Sequence, residues 1–267
     1  MTAEPLANIR WQALLVGVAS SAYDGDRGFV QSLNSQGEFA LAIERNMPGL
    51  AQDDLIVLPE PRYGREVTDA IADLNDAHDQ QTKDGLTPAG LLFYYCGHGM
   101  DARDQLYLSM VETIDNDAQR RRTGLALSGV IDVIRATEFR RPQIALILDC
   151  CFAGLACEEF AGLAPEGQKW ARRVNLLMAV GPDVPAKHDP SSTGPTFFTA
   201  ALVELLREGD PGAGPWIDLE TAYRWMKPRL IERHGEDRQP HHQPAAKGGA
   251  VALGRNRAYP GPPSATM

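Results

Sequence analysis

The sequence predicts an α/β fold, a mostly parallel sheet with helices on both faces. Two observations carry this. Solid apolar runs of strand length recur along the chain, as in strands buried on both faces. Between them lie segments whose apolar residues repeat at helical spacing, the alternation that gives a covered parallel sheet.

The elements follow in order. Residues 11–19 (WQALLVGVA) read as a buried first strand and 20–28 (SSAYDGDRG) as a turn-rich loop. In 37–47, Phe39, Ala40, Ile43 and Met47 share a helix face, and Pro48 stops the helix. Residues 54–60 are a second strand. In 65–81, Val67, Ile71 and Leu74 mark a second helix. Residues 90–97 (GLLFYYCG) are the third strand, and 104–110 a short strand or hairpin arm. A helix over 125–137 has Ser128 as its candidate cap; strands follow at 143–150 and 173–181. Residues 195–209 form a helix with Pro195 at its start and Gly209 past its end. Residues 216–235 form another, capped by Asp218 and bent at Pro228, and 248–256 a last strand that completes a six-stranded sheet. The Pro- and Gly-rich tail, 257–267, reads as disordered. Residues 1–256 read as one domain.

Composition narrows the function. The chain has 267 residues, a formal net charge of -9 and 43% hydrophobic residues. An acidic chain is repelled by phosphate backbones, so nucleic acid is not the expected partner; the run Arg120, Arg121, Arg122 does not reverse this. The four cysteines, Cys96, Cys150, Cys151 and Cys157, form no CxxC pair, which argues against a disulfide framework or a zinc site. The residues before the first strand have no secretory pattern, and no apolar run reaches the ~18 residues of a membrane span. A cytoplasmic protein with reduced thiols, no membrane partner and no metal is the expectation. His241-His242 lacks further ligand spacing and reads as surface.

In folds of this class chemistry gathers at the carboxyl ends of the strands. The third strand ends in Cys96-Gly97-His98-Gly99, and the strand over 143–150 runs into Asp149-Cys150-Cys151-Phe152-Ala153-Gly154. If these strands are parallel neighbours, an imidazole and a thiol arrive at one edge. A thiolate nucleophile needs such an imidazole to take its proton. Glycines beside His98 let a substrate backbone approach and free a backbone N–H for a developing oxyanion. Because successive strand side chains face opposite ways, Cys150 and Cys151 do not both face His98. No GxSxG elbow, P-loop or GxGxxG occurs.

These two motifs, with their His and Cys 53 positions apart, resemble the caspase-type cysteine peptidases, which include metacaspases, paracaspases and bacterial caspase-like proteins. The likeness extends over residues 11–255, from the first strand ALLVGV to VNLLMAVGPD and PTFFTAALVELL. It implies a caspase-like three-layer sandwich, with a large-subunit-like part (1–157), a linker (158–172) and a small-subunit-like part (173–256). It also implies a Cys-His dyad. Cys151 takes the nucleophile's position, with Cys150 as packing. His98 is general base and then acid, and the backbone N–H groups of Gly99 and Cys151 form the oxyanion hole. Animal caspases carry Gln-Ala-Cys-x-Gly at the nucleophile; Asp149-Cys150-Cys151 is closer to the metacaspase and bacterial pattern. Cys96 stands where the family commonly has Ser, and Phe152 where it often has His or Tyr.

Metacaspases cut after Arg or Lys, using acidic residues in the first specificity pocket. One is the Asp two positions before the nucleophile, here Asp149. Asp24 or Asp26 in the loop after the first strand is the candidate second, with Arg27 a contrary charge and Cys96 a further candidate lining residue. The linker carries Lys169, with Arg172 and Arg173 at its end, where a basic-specific enzyme could cut itself. The implied partner is a protein or peptide substrate, with a regulatory partner left open. No cofactor is expected. Calcium activation, known in some metacaspases, stays open, since the aspartates form no recognisable calcium loop. The alternatives are a catalytically silent module on the same fold and a protease of different specificity. A role in cell death or phage defence rests on analogy alone.

Overall fold

Trp11, Leu14, Leu15 and Val16 are almost wholly shielded from solvent, and so is every residue of Gly90–Cys96 and Ile144–Asp149. Burial on both faces explains why these runs lack alternation. The computed structural model describes residues 9–20, 29–114, 116–182, 193–247 and 249–260.

The central sheet has six strands: β1 (Trp11–Gly17), β2 (Leu50–Pro59), β3 (Gly90–Cys96), β7 (Ile144–Asp149), β8 (Val174–Met178) and β10 (His241–Gln243). Their order is β10-β8-β7-β3-β1-β2, with every pair parallel except β10 on β8. One face packs against α1 (Gln31–Asn46), α7 (Phe197–Glu208) and α8 (Leu219–His234) through Leu15, Tyr94 and Ile147. The other packs against α2 (Gly64–Lys83) and α4 (Leu127–Arg135) through Leu14, Phe93 and Leu146. The result is three layers, helices on a mostly parallel sheet on helices. A three-stranded antiparallel patch of β4 (Gly99–Asp101), β5 (Leu106–Leu108) and β6 (Leu125–Ala126) extends from the end of β3. The short helix α3 (Asp117–Thr123) lies between β5 and β6 in the chain. No helix among the described residues is long and apolar enough to cross a membrane.

The differences from the sequence reading have local causes. Helix α1 starts six residues early because polar side chains fill its first turns: Gln36 Nε2 donates to the Leu15 carbonyl at 2.8 Å. Ala126, not Ser128, is the N-cap residue of α4. Residues 216–218 are not helix but β9 (Trp216–Asp218), paired with β11 (Ala252–Arg255) in a separate two-stranded sheet. The sixth central strand is therefore β10, which contains the histidine doublet. His242 is not at the surface: its side chain is 2% exposed, with Nδ1 2.8 Å from Glu220. Asp218 does cap α8, accepting from Thr221 N at 2.7 Å. The segment joining β7 to β8 holds two helices, α5 (Leu155–Ala161) and α6 (Pro165–Ala171). Residues 257–260 lie within the described chain.

Candidate functional site

The site is set by strand register. β3 and β7 pair in parallel, and their last matched residues are Cys96 and Asp149. The ladder runs one step further, Gly97 N donating to the Asp149 carbonyl. His98 and Cys151 each stand two residues past the matched pair, so the two tips leave the sheet side by side. Gly99 touches the other tip directly. A Cβ built there would lie 2.0 Å from the Cys151 carbonyl oxygen and 3.0 Å from the Cys150 Sγ. Only a residue without a side chain lets the histidine tip rest on the cysteine tip.

The β3 tip is held from below. The ring of Tyr95 is fully buried, and its hydroxyl reaches up to the His98 carbonyl at 3.0 Å and the Ser109 carbonyl at 2.9 Å. Ser109 N donates to the same His98 carbonyl at 2.9 Å. Gly97 is small because this hydroxyl crosses it: an added Cβ would lie 2.5 Å from Tyr95 Oη. The Phe29 ring lies 5.3 Å from the His98 ring, centroid to centroid. The β7 tip turns sharply. Phe152 has φ 55°, a left-handed conformation uncommon outside glycine, directly after Cys151. Gly154 then packs on the backbone of Gly181 and Pro182, where an added Cβ would meet Pro182 N at 2.3 Å.

The cysteines have different surroundings. Cys150 is in the core, 2% exposed, and burial pushes its thiol well above the usual range. Cys96 is fully buried, and its thiol is raised for the same reason. Cys157 lies on α5 with Sγ 3.7 Å from Met178 Sδ, and burial raises it too. Cys151 is half-buried, at the tip. A neutral, buried thiol is a poor nucleophile, so the two core cysteines are packing residues.

Asp149 and Cys96 lie on the face that carries α1 and α7. The Asp149 carboxylate is 4% exposed, and its Oδ2 accepts from the hydroxyls of Thr196 and Thr199, the latter at 2.6 Å. Thr196 is also the N-cap of α7, and Thr199 Oγ1 lies 2.8 Å from Tyr94 Oη. Burial raises the Asp149 pKa, while hydrogen bonds from Thr196, Thr199 and Cys96 pull it back. Asp24 and Asp26 lie outside the described residues. Ala19 and Ser20, just after β1, are held by Glu60, itself at φ 52°, whose carboxylate accepts from Ala19 N, Ser20 N and the Ser20 hydroxyl. Among the described residues no three His, Cys, Asp or Glu side chains gather as a metal site would need.

Sequence reasoning missed Tyr95, Ser109, Thr196, Thr199, Phe29 and Glu60. Three had a readable signal. Tyr95 is polar-tipped within an otherwise apolar strand, and the threonines sit three apart at the start of an apolar helix.

Glu159 was also missed. From α5, its Oε1 accepts from Leu106 N in β5 at 2.7 Å. The helix after Cys151 is thus tied to the hairpin after His98. Burial pushes this carboxyl up to about 7. The native state then holds a proton between about pH 4.5 and 7 that the unfolded chain releases, so stability falls as pH rises through that window. Discounted for partial exposure, the loss is about 2 kcal/mol. Glu159→Gln is expected to remove this slope: the variant's unfolding free energy, from urea melts at pH 5, 6, 7 and 8, should vary less than the wild type's across the window.

No family model matches the sequence, and no curated protein matches it. Solved structures do match. The crystal structure of caspase-1 from Spodoptera frugiperda superposes with a TM-score of 0.60 at 11% identity, covering 95% of this chain and 93% of that one. The structure of pro-sf-caspase-1 gives 0.58 at 11%, covering 92% and 97%. The Drosophila initiator caspase Dronc gives 0.60 at 8%, covering 92% and 84%. Identities this low establish the fold and nothing finer: the chain has a caspase-like fold over nearly its whole length.

Proposed function

We propose that the chain is a cysteine endopeptidase acting through Cys151 and His98. The observation that carries this is the equal overhang of the two residues past the Cys96–Asp149 pair, with Gly99 in backbone contact with Cys151. In this reading His98 takes the Cys151 proton and the thiolate attacks a peptide carbonyl. The tetrahedral oxyanion sits against the N–H groups of Gly99 and Cys151. It collapses to a thioester as the amine leaves with the proton from His98. Water, deprotonated by His98, then releases the acid and restores the thiol.

The reading includes cleavage after Arg or Lys, selected by Asp149 with help from Asp24 or Asp26. A carboxylate in a dry setting pairs strongly with a guanidinium. One observation favours a second reading of Asp149. Its Oδ2 already accepts two threonine hydroxyls that anchor α7, the pattern of a structural carboxylate. Specificity would then come from other residues.

Self-processing between the subunit-like parts would have to cut after Lys169, Arg172 or Arg173. Lys169 lies within α6, Arg172 is its C-cap residue, and the Arg173 carbonyl accepts from Ile144 N at the start of the sheet. The stacked rings of Phe160 and Trp170 hold the two linker helices together. A bond in a helix or a strand must unfold locally before it fits an extended active-site groove. We therefore read the uncut chain as the working form.

The test is a fluorogenic peptide panel with Arg, Lys, Asp or Leu before the scissile bond, run with and without calcium. Cys151→Ala and His98→Ala should each lower kcat/KM on the order of a thousandfold or more with the fold kept, and Cys150→Ala should retain most activity. Activity that survives Cys151→Ala sinks the dyad.

The same panel separates the two readings of Asp149. If it binds the basic side chain, Asp149→Asn should lower kcat/KM on Arg and Lys peptides on the order of a hundredfold while the melting temperature moves little. Equal losses on all peptides together with a lower melting temperature would mark Asp149 as the anchor of α7. The wild type should remain one band on gels throughout, and activity that appears only after cleavage overturns the uncut reading.

A further inference from the structure

We infer that Tyr95 is a positioning residue for His98, holding the imidazole-bearing tip in register with Cys151 through the backbone. The inference rests on the Cys-His reading above and adds a residue to it. Tyr95 leaves β3 on the face opposite Tyr94 and Cys96, and its ring is wholly buried against α2 and α4. Its hydroxyl does not stop in the core. It passes Gly97 and sits 3.0 Å from the His98 carbonyl, 2.9 Å from the Ser109 carbonyl and 3.2 Å from the Ser109 Oγ. Ser109 N closes the ring of contacts by donating to His98 at 2.9 Å.

The single Tyr95 hydroxyl proton is shared between the His98 and Ser109 carbonyls, so the His98 carbonyl takes one hydrogen bond from Ser109 N in the strand that returns beside it and a share of a second from the strand below. That fixes the peptide plane after His98, and with it the start of the side chain and the N–H of Gly99. A tip held only by Ser109 can pivot about that single bond. Catalysis responds steeply to such freedom, since a displacement of about 1 Å can cost on the order of a hundredfold in rate. The geometry also explains Gly97, which carries no functional group. It is the one residue over which the tyrosine can reach, and a methyl there would lie 2.5 Å from the hydroxyl and 2.8 Å from the ring carbon that bears it.

Two variants and two readouts test this. Tyr95→Phe removes the hydroxyl and keeps the ring. Gly97→Ala drives the hydroxyl off its place from the other side. Peptide cleavage gives kcat and KM separately, and the rate of Cys151 alkylation by iodoacetamide, followed by peptide mass mapping, reads the thiol–imidazole coupling without any substrate. Tyr94→Phe is the matched control, an equally buried hydroxyl that pairs with Thr199 on the other face.

Tyr95→Phe is expected to lower kcat about tenfold or more, to leave KM within about twofold, and to shift Cys151 alkylation toward its rate in His98→Ala. Gly97→Ala should do the same, and the double variant should lose less than the two losses combined, because both act on one contact. Tyr94→Phe should alkylate at close to the wild-type rate. Wild-type kcat and alkylation in Tyr95→Phe overturn the inference. So does a loss matched by Tyr94→Phe, or one confined to KM. If the wild type cleaves no peptide but Cys151 alkylation still depends on both His98 and Tyr95, the peptidase reading fails and the positioning role stands. If alkylation ignores His98, there is no coupled pair to position and both fail.

Discussion

Everything at this edge of the molecule depends on the parallel hydrogen-bond ladder between β3 and β7. A parallel ladder fixes register residue by residue, and a slip of one would turn every side chain of a strand to the other face. Both strands are buried on both sides, so a slip would also place apolar residues against the wrong helices. The core thus enforces the pairing of Cys96 with Asp149. The pairing in turn delivers His98 and Cys151 to the same height. A candidate reaction centre is obtained from packing, with no bond between the two side chains required to assemble it.

Around that ladder the polar groups have a division of labour. Tyr94 and Tyr95 are neighbours in sequence and point to opposite faces. Tyr95 supports the histidine tip. Tyr94 joins Thr199, Thr196 and Asp149 in a buried network that docks the start of α7 on the end of β7. A hydroxyl this deep is costly without partners, so its position is set as tightly as that of the apolar ring that carries it. The strained backbone at Phe152 and Glu60 lies at the same end of the sheet, beside the turn after Cys151 and the loop after β1. Strain held in place by packing is common where a fold must present a tip rather than relax it.

The connection between β7 and β8 shows the same economy. Two short helices take the place of an open loop, and Gln168 donates to the carbonyls of Phe160 and Leu163 to close the turn between them. Glu159, on the first of these helices, reaches back to β5. One side chain therefore couples the segment that follows the cysteine to the segment that follows the histidine, and it does so with a carboxyl whose charge is sensitive to pH near neutrality.

The sequence by itself determined the layers and five of the six central strands. Strand-length apolar runs alternating with helical segments point to a sheet covered on both faces, and the Gly-flanked His98 and the Asp149-Cys150-Cys151 turn were visible at two strand ends. It missed what has no local period. The first turns of α1 are polar and bury Ser35 and Gln36, so hydrophobic spacing starts too late. The pairing of β9 with β11 joins residues more than thirty positions apart, and no local pattern distinguishes Trp216–Asp218 from the start of the helix that follows. His242 looks like a surface residue until β10 pairs with β8 and turns it toward Glu220. Only the tertiary structure decided that Tyr95 meets His98, that Asp149 meets two threonines, and that Glu159 spans two segments. These contacts are made by side chains of distant segments, and their geometry exists only once the sheet has set the register.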